Sequence, residues 1–113
     1  NCRSLNSITI PDSVTSIGDW AFRDCKKLTS VKINEGVKSI GEYAFASCES
    51  LTNIELPDSV TTIGQLAFAY SDEITNVTFG SGLETIEYGA FYDCTSLKNV
   101  ELPEGLKVIG ESL

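Results

Sequence analysis

Residues 25–48 read CKKLTSVKINEGVKSIGEYAFASC, and the same pattern recurs before and after this stretch at intervals of 23 residues. The column that starts each unit contains Cys2, Cys25, Cys48, Ser71 and Cys94. All columns keep register through the 113 residues without an insertion or deletion. Repeats of this length are typical of solenoids, in which each unit packs only on its neighbours. The sequence therefore predicts one array with units 2–24, 25–47, 48–70, 71–93 and 94–113.

The first half of each unit carries the signal of two short strands. In Ser7-Ile8-Thr9-Ile10 polar and apolar residues alternate, as in a strand with one buried face. Turn-forming residues such as Pro11 and Asp12 follow, and a second extended segment ends at Ile17. Stacked units should therefore form a parallel sheet from the first strands.

The second half of each unit contains a glycine and an Ala-Phe pair. Gly18 and its equivalents follow an isoleucine in four of five units, and we expect them to allow a bend or a positive φ. Ala21, Phe22 and Cys25 fall at helical offsets, which predicts a short helix or 3₁₀ turn. The phenylalanine should be the largest buried side chain of each unit.

The complete pattern is Cys-x-x-Leu-x-x-Ile-x-x-Pro-x-x-Val-x-x-Ile-Gly-x-x-Ala-Phe-x-x-Cys, with Asn34 at the proline position of unit 25–47. It resembles the repeat of the BspA-like leucine-rich repeat family over essentially the whole chain. The resemblance implies a right-handed leucine-rich-repeat solenoid, β-rich α/β in class, with the first strands on the concave side. It also implies a secreted or surface-attached protein, mostly bacterial, of the kind associated with adhesion. Departures from the pattern occur in the fourth unit, at Ser71, Glu87 and Gly89.

Composition excludes several function classes. The net charge is −8, with 16 acidic and 8 basic residues, which argues against a nucleic-acid partner because such binding needs Lys and Arg on phosphates. No stretch approaches the ~20 apolar residues of a transmembrane helix. Without histidine or a Cys-x-x-Cys motif, we expect no metal site, no cofactor and no catalytic residues.

Two columns raise the question of a bridge or an ion. The cysteines allow three pairings into two disulfides, but side chains stacked in parallel point the same way, so we predict free buried thiols. Asp12, Glu35, Asp58 and Glu104 form an acidic column that could hold calcium, although turn formation explains one carboxylate per unit more simply.

The lack of methionine and the stop before a fifth Ala-Phe pair predict a piece of a longer array without its caps. Uncapped ends expose apolar surface and unpaired strand groups, so end-to-end self-association is expected of the isolated piece.

Two surfaces are candidate binding sites. The first consists of the outward polar residues of the concave sheet, which repeat proteins commonly use to hold a partner: Ser7, Thr9, Ser30, Lys32, Asn53, Glu55, Asn76, Thr78, Asn99 and Glu101. The second consists of aromatic residues outside the strands, which would either stack on a sugar or shield the unit beneath: Trp20, Tyr43, Tyr70, Tyr88 and Tyr92.

The leading functional hypothesis is a non-catalytic protein-interaction or adhesion module of an extracellular or cell-surface protein. Its partner would be a protein, such as a host matrix protein or a surface protein of another cell. A carbohydrate-binding module that uses the aromatic residues is the first alternative. A passive spacer in a multidomain surface protein is the second.

Overall fold

The computed structural model describes residues 5–97, 99–100, 105–106 and 108–109. Its strands are two to four residues long: β1 Ser7–Ile10, β2 Ser16–Ile17, β3 Ser30–Ile33, β4 Ser39–Ile40, β5 Asn53–Glu55, β6 Thr62–Ile63, β7 Asn76–Thr78, β8 Thr85–Ile86, β9 Asn99–Val100 and β10 Val108–Ile109. The odd-numbered strands form one five-stranded parallel sheet, in the order β1-β3-β5-β7-β9. The even-numbered strands form a second, in the order β10-β8-β6-β4-β2. The predicted solenoid with a parallel sheet of first strands is confirmed.

Strand register follows the repeat. Ile8 pairs with Val31, Val31 with Ile54, and Ile54 with Val77, each step being one repeat along the chain. Because strand side chains alternate between faces, this register aligns the apolar column on the core side and the polar columns on the solvent side. The second sheet repeats the arrangement with the isoleucine column, in which Ile17, Ile40, Ile63 and Ile86 are buried.

The segment after the second strand is a run of turns, and the predicted helix or 3₁₀ segment does not form anywhere in the described residues. Alternate amides serve different partners. Ala44 N–H donates to Gly41 O within the unit, whereas Phe45 N–H donates 2.7 Å to Ala67 O of the next unit. A helix needs consecutive amides to bond within the segment. Here every second amide joins a third inter-unit ladder instead, so helical apolar spacing gave a wrong prediction.

The positive φ values lie in columns other than the predicted one. Two positions of the turn segment adopt left-handed conformations in successive units, as at Tyr43 (φ 58°) and Ser47 (φ 59°). The glycines after isoleucine serve close packing instead, because a Cβ on Gly41 would lie 2.6 Å from Asp19 N and 2.7 Å from Gly18 C. The expectation of a positive φ at that glycine column was therefore wrong for Gly18, Gly41 and Gly64.

The core is a stack of equivalent side chains. Phe22, Phe45, Phe68 and Phe91 form a continuous column with ring centroids 5.2–5.3 Å apart and planes within 11° of parallel. Phe45 and Phe68 are fully buried. The prediction that phenylalanine is the main buried side chain of each unit is confirmed for these two units.

Candidate functional site

One face of the first sheet carries short polar side chains in register. We call it the polar sheet face, and its described residues are all exposed: Ser7, Thr9, Ser30, Lys32, Asn53, Glu55, Asn76 and Thr78. In strand β9, the backbone of Asn99 pairs in register with that of Asn76 in β7. Glu101 lies outside the described residues. The described residues that were predicted from the sequence to face outward on the first sheet therefore do lie on one surface.

Contacts within the polar sheet face are sparse. Asn76 Nδ2 donates to Asn53 Oδ1 at 3.3 Å. The other side-chain amide atoms of this pair, Asn53 Nδ2 and Asn76 Oδ1, remain available to a ligand. Lys32 and Glu55 are register neighbours, as predicted, but no ion pair within 4.0 Å joins these two described residues. A shallow depression of about 410 Å³ lies over this part of the sheet, and Lys32, Asn53 and Glu55 contribute to its lining. The face therefore offers donors, acceptors and both charges to a ligand.

The aromatic candidates divide into two groups. Trp20 and Tyr43 stack with centroids 4.4 Å apart, and the Arg23 guanidinium lies 4.7 Å from the Trp20 ring centre. The second group contains Tyr70 and Tyr92, whose rings meet edge to face at 5.6 Å. Four of the five candidate residues are 42–48% exposed, and Tyr43 is less exposed. Such half-exposed residues fit both interpretations of the aromatic side chains, shielding of the unit beneath and stacking on a sugar.

The cysteine column is a ladder of hydrogen-bond donors. Cys25, Cys48 and Cys94 form no disulfide, as predicted; Cys25 and Cys48 are buried and Cys94 is half-buried, whereas Cys2 lies outside the described residues. Cys94 Sγ donates to Phe68 O at 3.1 Å, and Ser71 Oγ donates to Phe45 O at 2.9 Å in the equivalent position. Burial, with a smaller contribution from the Asp93 and Asp72 carboxylates, raises the pKa of Cys94 to about 12. A half-buried thiol that stays neutral in this way is structural rather than nucleophilic.

The acidic column joins successive units. Glu35 Oε2 accepts from Asp58 N–H at 3.2 Å, and Asp58 Oδ1 accepts from Ser81 N–H at 2.8 Å. The carboxylates of Glu35 and Asp58 therefore each accept a turn amide of the next unit, in addition to the predicted role of the column in turns; Glu104 lies outside the described residues. Among the described residues, no group of three or more His, Cys, Asp or Glu is arranged to hold a metal ion.

Two contributors were missed by sequence reasoning. Ser59 Oγ accepts from Gly36 N–H at 3.1 Å and donates to Val37 O at 2.7 Å, so it joins two units. Arg23 contacts the Trp20 and Tyr43 rings. The cation three residues after Trp20 was a readable signal, whereas the role of Ser59 depends on the spacing between units.

Comparison with known proteins identifies the repeat. The sequence profile of the BspA type leucine-rich repeat region, a family model that describes six repeat copies, matches residues 1–113. The chain belongs to this family. As a BspA-type array it is also similar to solved bacterial structures. The pneumococcal vaccine antigen PcpA is 36% identical with a TM-score of 0.80, and the match covers 93% of this chain and 26% of that one.

Two further relatives of this BspA-type array have the same fold. The Treponema pallidum (T. pallidum) leucine-rich repeat protein TpLRR is 30% identical with a TM-score of 0.92, over 95% of this chain and 52% of that one. A leucine-rich cell surface protein of Faecalibacterium prausnitzii is 29% identical with a TM-score of 0.71, over 96% and 35%. The array thus spans between about a quarter and a half of these relatives' lengths. None of the curated proteins matches the chain.

No helix long and apolar enough to cross a membrane occurs within the part of the chain that the structure describes.

Proposed function

We propose that this BspA-type array is a non-catalytic protein-interaction module of adhesion type, carried by a secreted or cell-surface protein, and that its polar sheet face binds the partner. The observation that carries the proposal is the exposed polar register across β1, β3, β5 and β7 on a sheet whose other face is the packed core. A surface held on a rigid sheet loses little conformational entropy when it binds.

The relatives support the choice of partner class and location. One similar structure is a vaccine antigen and another is a cell surface protein. Leucine-rich repeat proteins are generally non-catalytic, which agrees with the absence of histidine from the sequence. Matrix proteins and cell-surface proteins are therefore the first partners to test.

The test is a surface-binding screen of the array against matrix proteins and polysaccharides at low and physiological ionic strength. We expect a saturable protein interaction that persists at physiological ionic strength. The triple variant Asn53→Ala/Glu55→Ala/Asn76→Ala should weaken it at least about tenfold, since few residues carry most of the binding energy.

The matched control changes three residues of one column beside the second sheet, Thr15→Ala, Lys38→Ala and Glu84→Ala. It should bind like the wild type. A partner that binds the sheet variant normally would exclude the polar sheet face. A hit among polysaccharides alone would favour the carbohydrate alternative, and silence on both would favour the spacer.

A further inference from the structure

Tyr70 and Tyr92 form an exposed patch on the turn side of the third and fourth units, here named the tyrosine patch. Tyr70 N–H donates to Tyr92 O at 2.8 Å, and the two rings meet at 5.6 Å with an interplanar angle of 90°. As residues, Tyr70 is 47% and Tyr92 is 42% exposed. Tyr88, at the start of the turn that contains Tyr92, is 48% exposed.

The repeat does not require these rings for its own packing. The column of Tyr92 contains buried alanines in the two preceding units, Ala46 and Ala69. The column of Tyr70 contains Asp24, Ser47 and Asp93, which are polar. Both columns therefore pack well without an aromatic ring, and the tyrosines add an exposed surface that the fold alone does not explain.

A glycine replaces a large side chain beside this surface. Gly89 occupies the column of Trp20 and Tyr43, and its Cβ would lie 2.8 Å from Leu66 Cδ2 and 3.6 Å from Tyr92 Cβ. Leu66 leans into that space, so it adds aliphatic surface next to Tyr92. No aromatic stack continues over the fourth unit at this column, unlike the Trp20–Tyr43 stack of the first two units.

The surroundings of the tyrosine patch are acidic. Residues 39–97 contain nine Asp and Glu and no Lys, Arg or His. Asp93 follows Tyr70 by one repeat in the same column, and both Asp93 and Asp72 are exposed. Their carboxylates both lie near Cys94, where they add to the effect of burial in raising the pKa of that thiol. An exposed carboxylate therefore follows each tyrosine of the patch closely in the chain, Asp72 two residues after Tyr70 and Asp93 one residue after Tyr92.

The other aromatic group, Trp20 and Tyr43, contacts a cation. At Trp20 and Tyr43 the chain supplies its own cation, because the Arg23 guanidinium lies 4.7 Å from the Trp20 ring centre. Residues 39–97, which include the tyrosine patch, contain no Lys or Arg that could take this place. Exposed tyrosine rings next to carboxylates attract Lys or Arg by both cation–π and charge–charge interactions.

We propose that the tyrosine patch is a docking surface for a lysine- or arginine-rich segment of a partner polypeptide. Side chains of the partner would lay ammonium or guanidinium groups against Tyr70 and Tyr92, with Asp72 and Asp93 balancing their charge. This surface is separate from the polar sheet face. The inference therefore goes beyond the proposed function and stands or falls independently of it.

The test measures fluorescence anisotropy of a labelled oligolysine peptide, with a glycine-serine peptide of equal length as the neutral probe, at low and physiological ionic strength. Tyr70→Ser/Tyr92→Ala removes both rings with residue types that the same columns already contain at Ser47 and Ala46. We expect it to weaken oligolysine binding roughly tenfold, as loss of two partly desolvated cation–π contacts should. The neutral peptide should not bind.

Charge is tested separately. Asp72→Asn/Asp93→Asn should weaken binding at low ionic strength and flatten its salt dependence. The matched control, Glu49→Gln/Asp24→Asn, removes two charges from the same columns in other units and should change the affinity less than about twofold, as should Trp20→Leu.

Three results would overturn the proposal. They are no oligolysine binding by the wild type, wild-type binding by Tyr70→Ser/Tyr92→Ala, and an equal loss in Glu49→Gln/Asp24→Asn, which would show attraction by net charge alone. Circular dichroism of each variant confirms that it is folded. Loss of matrix-protein binding in the Asn53→Ala/Glu55→Ala/Asn76→Ala variant, with oligolysine binding intact, would separate the two surfaces.

Discussion

At the scale of single residues, the first column of the repeat needs a small buried donor. Ser71 Oγ accepts from Cys48 N–H at 3.1 Å and donates to Phe45 O at 2.9 Å, and the thiols of Cys48 and Cys94 donate to equivalent carbonyls. An unpaired buried carbonyl is costly, so the donor matters more than the sulfur. Free thiols could be predicted because serine replaces cysteine in this column. The acceptor could not, because it lies 26 residues earlier in the chain.

Substitution at Ser71 tests this role. Ser71→Ala removes both hydrogen bonds from a fully buried site and should lower the free energy of unfolding by about 1–3 kcal/mol. Ser71→Cys restores the residue type of the column and should cost less than about 1 kcal/mol. Urea unfolding followed by circular dichroism gives both values. Equal losses in the two variants would show that the hydrogen bonds contribute little.

At the scale of elements, strands were more predictable than turns. The strands follow from alternation in segments such as Ser30–Ile33, where exposed and buried residues alternate. The turn segment has apolar residues at helical spacing, yet its alternate amides bond to the next unit, as Phe68 N–H does to Ala90 O at 2.7 Å. That competition depends on a neighbour one repeat away. Local sequence patterns do not contain it.

The glycine column provides the test at this scale. Gly41→Ala would place a Cβ 2.6 Å from Asp19 N and 2.7 Å from Gly18 C, so units must separate, and we expect a loss of about 1–3 kcal/mol in the free energy of unfolding. Gly18→Ala is the matched control, since nothing lies within 4 Å of its Cβ. It should be neutral or slightly stabilising. A Gly41→Ala variant as stable as Gly18→Ala in thermal unfolding would contradict the close approach between units.

At the scale of the whole molecule, the units share one continuous core. Each phenylalanine ring contacts rings of its neighbours, and the three inter-unit hydrogen-bond ladders run through the same units. In such an array stability is a sum of unit and interface terms. The proposed binding surfaces are exposed columns of this frame, so their positions follow from the repeat, whereas their ligands depend on chemistry outside the chain.

Phe45→Ala tests the shared core. Phe45 is fully buried between Phe22 and Phe68, so its truncation should cost about 3–5 kcal/mol, a large part of the total stability of a small domain. Phe22→Ala removes a partly exposed ring that contacts Phe45 and should cost clearly less. Denaturant unfolding should remain a single transition in both variants. Similar costs, or separate transitions for the two ends, would contradict a continuous core.

The central claim is that the polar sheet face, held in register by the parallel strands, binds a protein partner. The most direct measurement is the change in backbone amide chemical shifts of the isotope-labelled array when the protein found by the screen is added. We expect shifts concentrated at Ser30–Ile33, Asn53–Glu55 and Asn76–Thr78, with the second sheet unchanged. Shifts confined to the second sheet or the turn segments would contradict it.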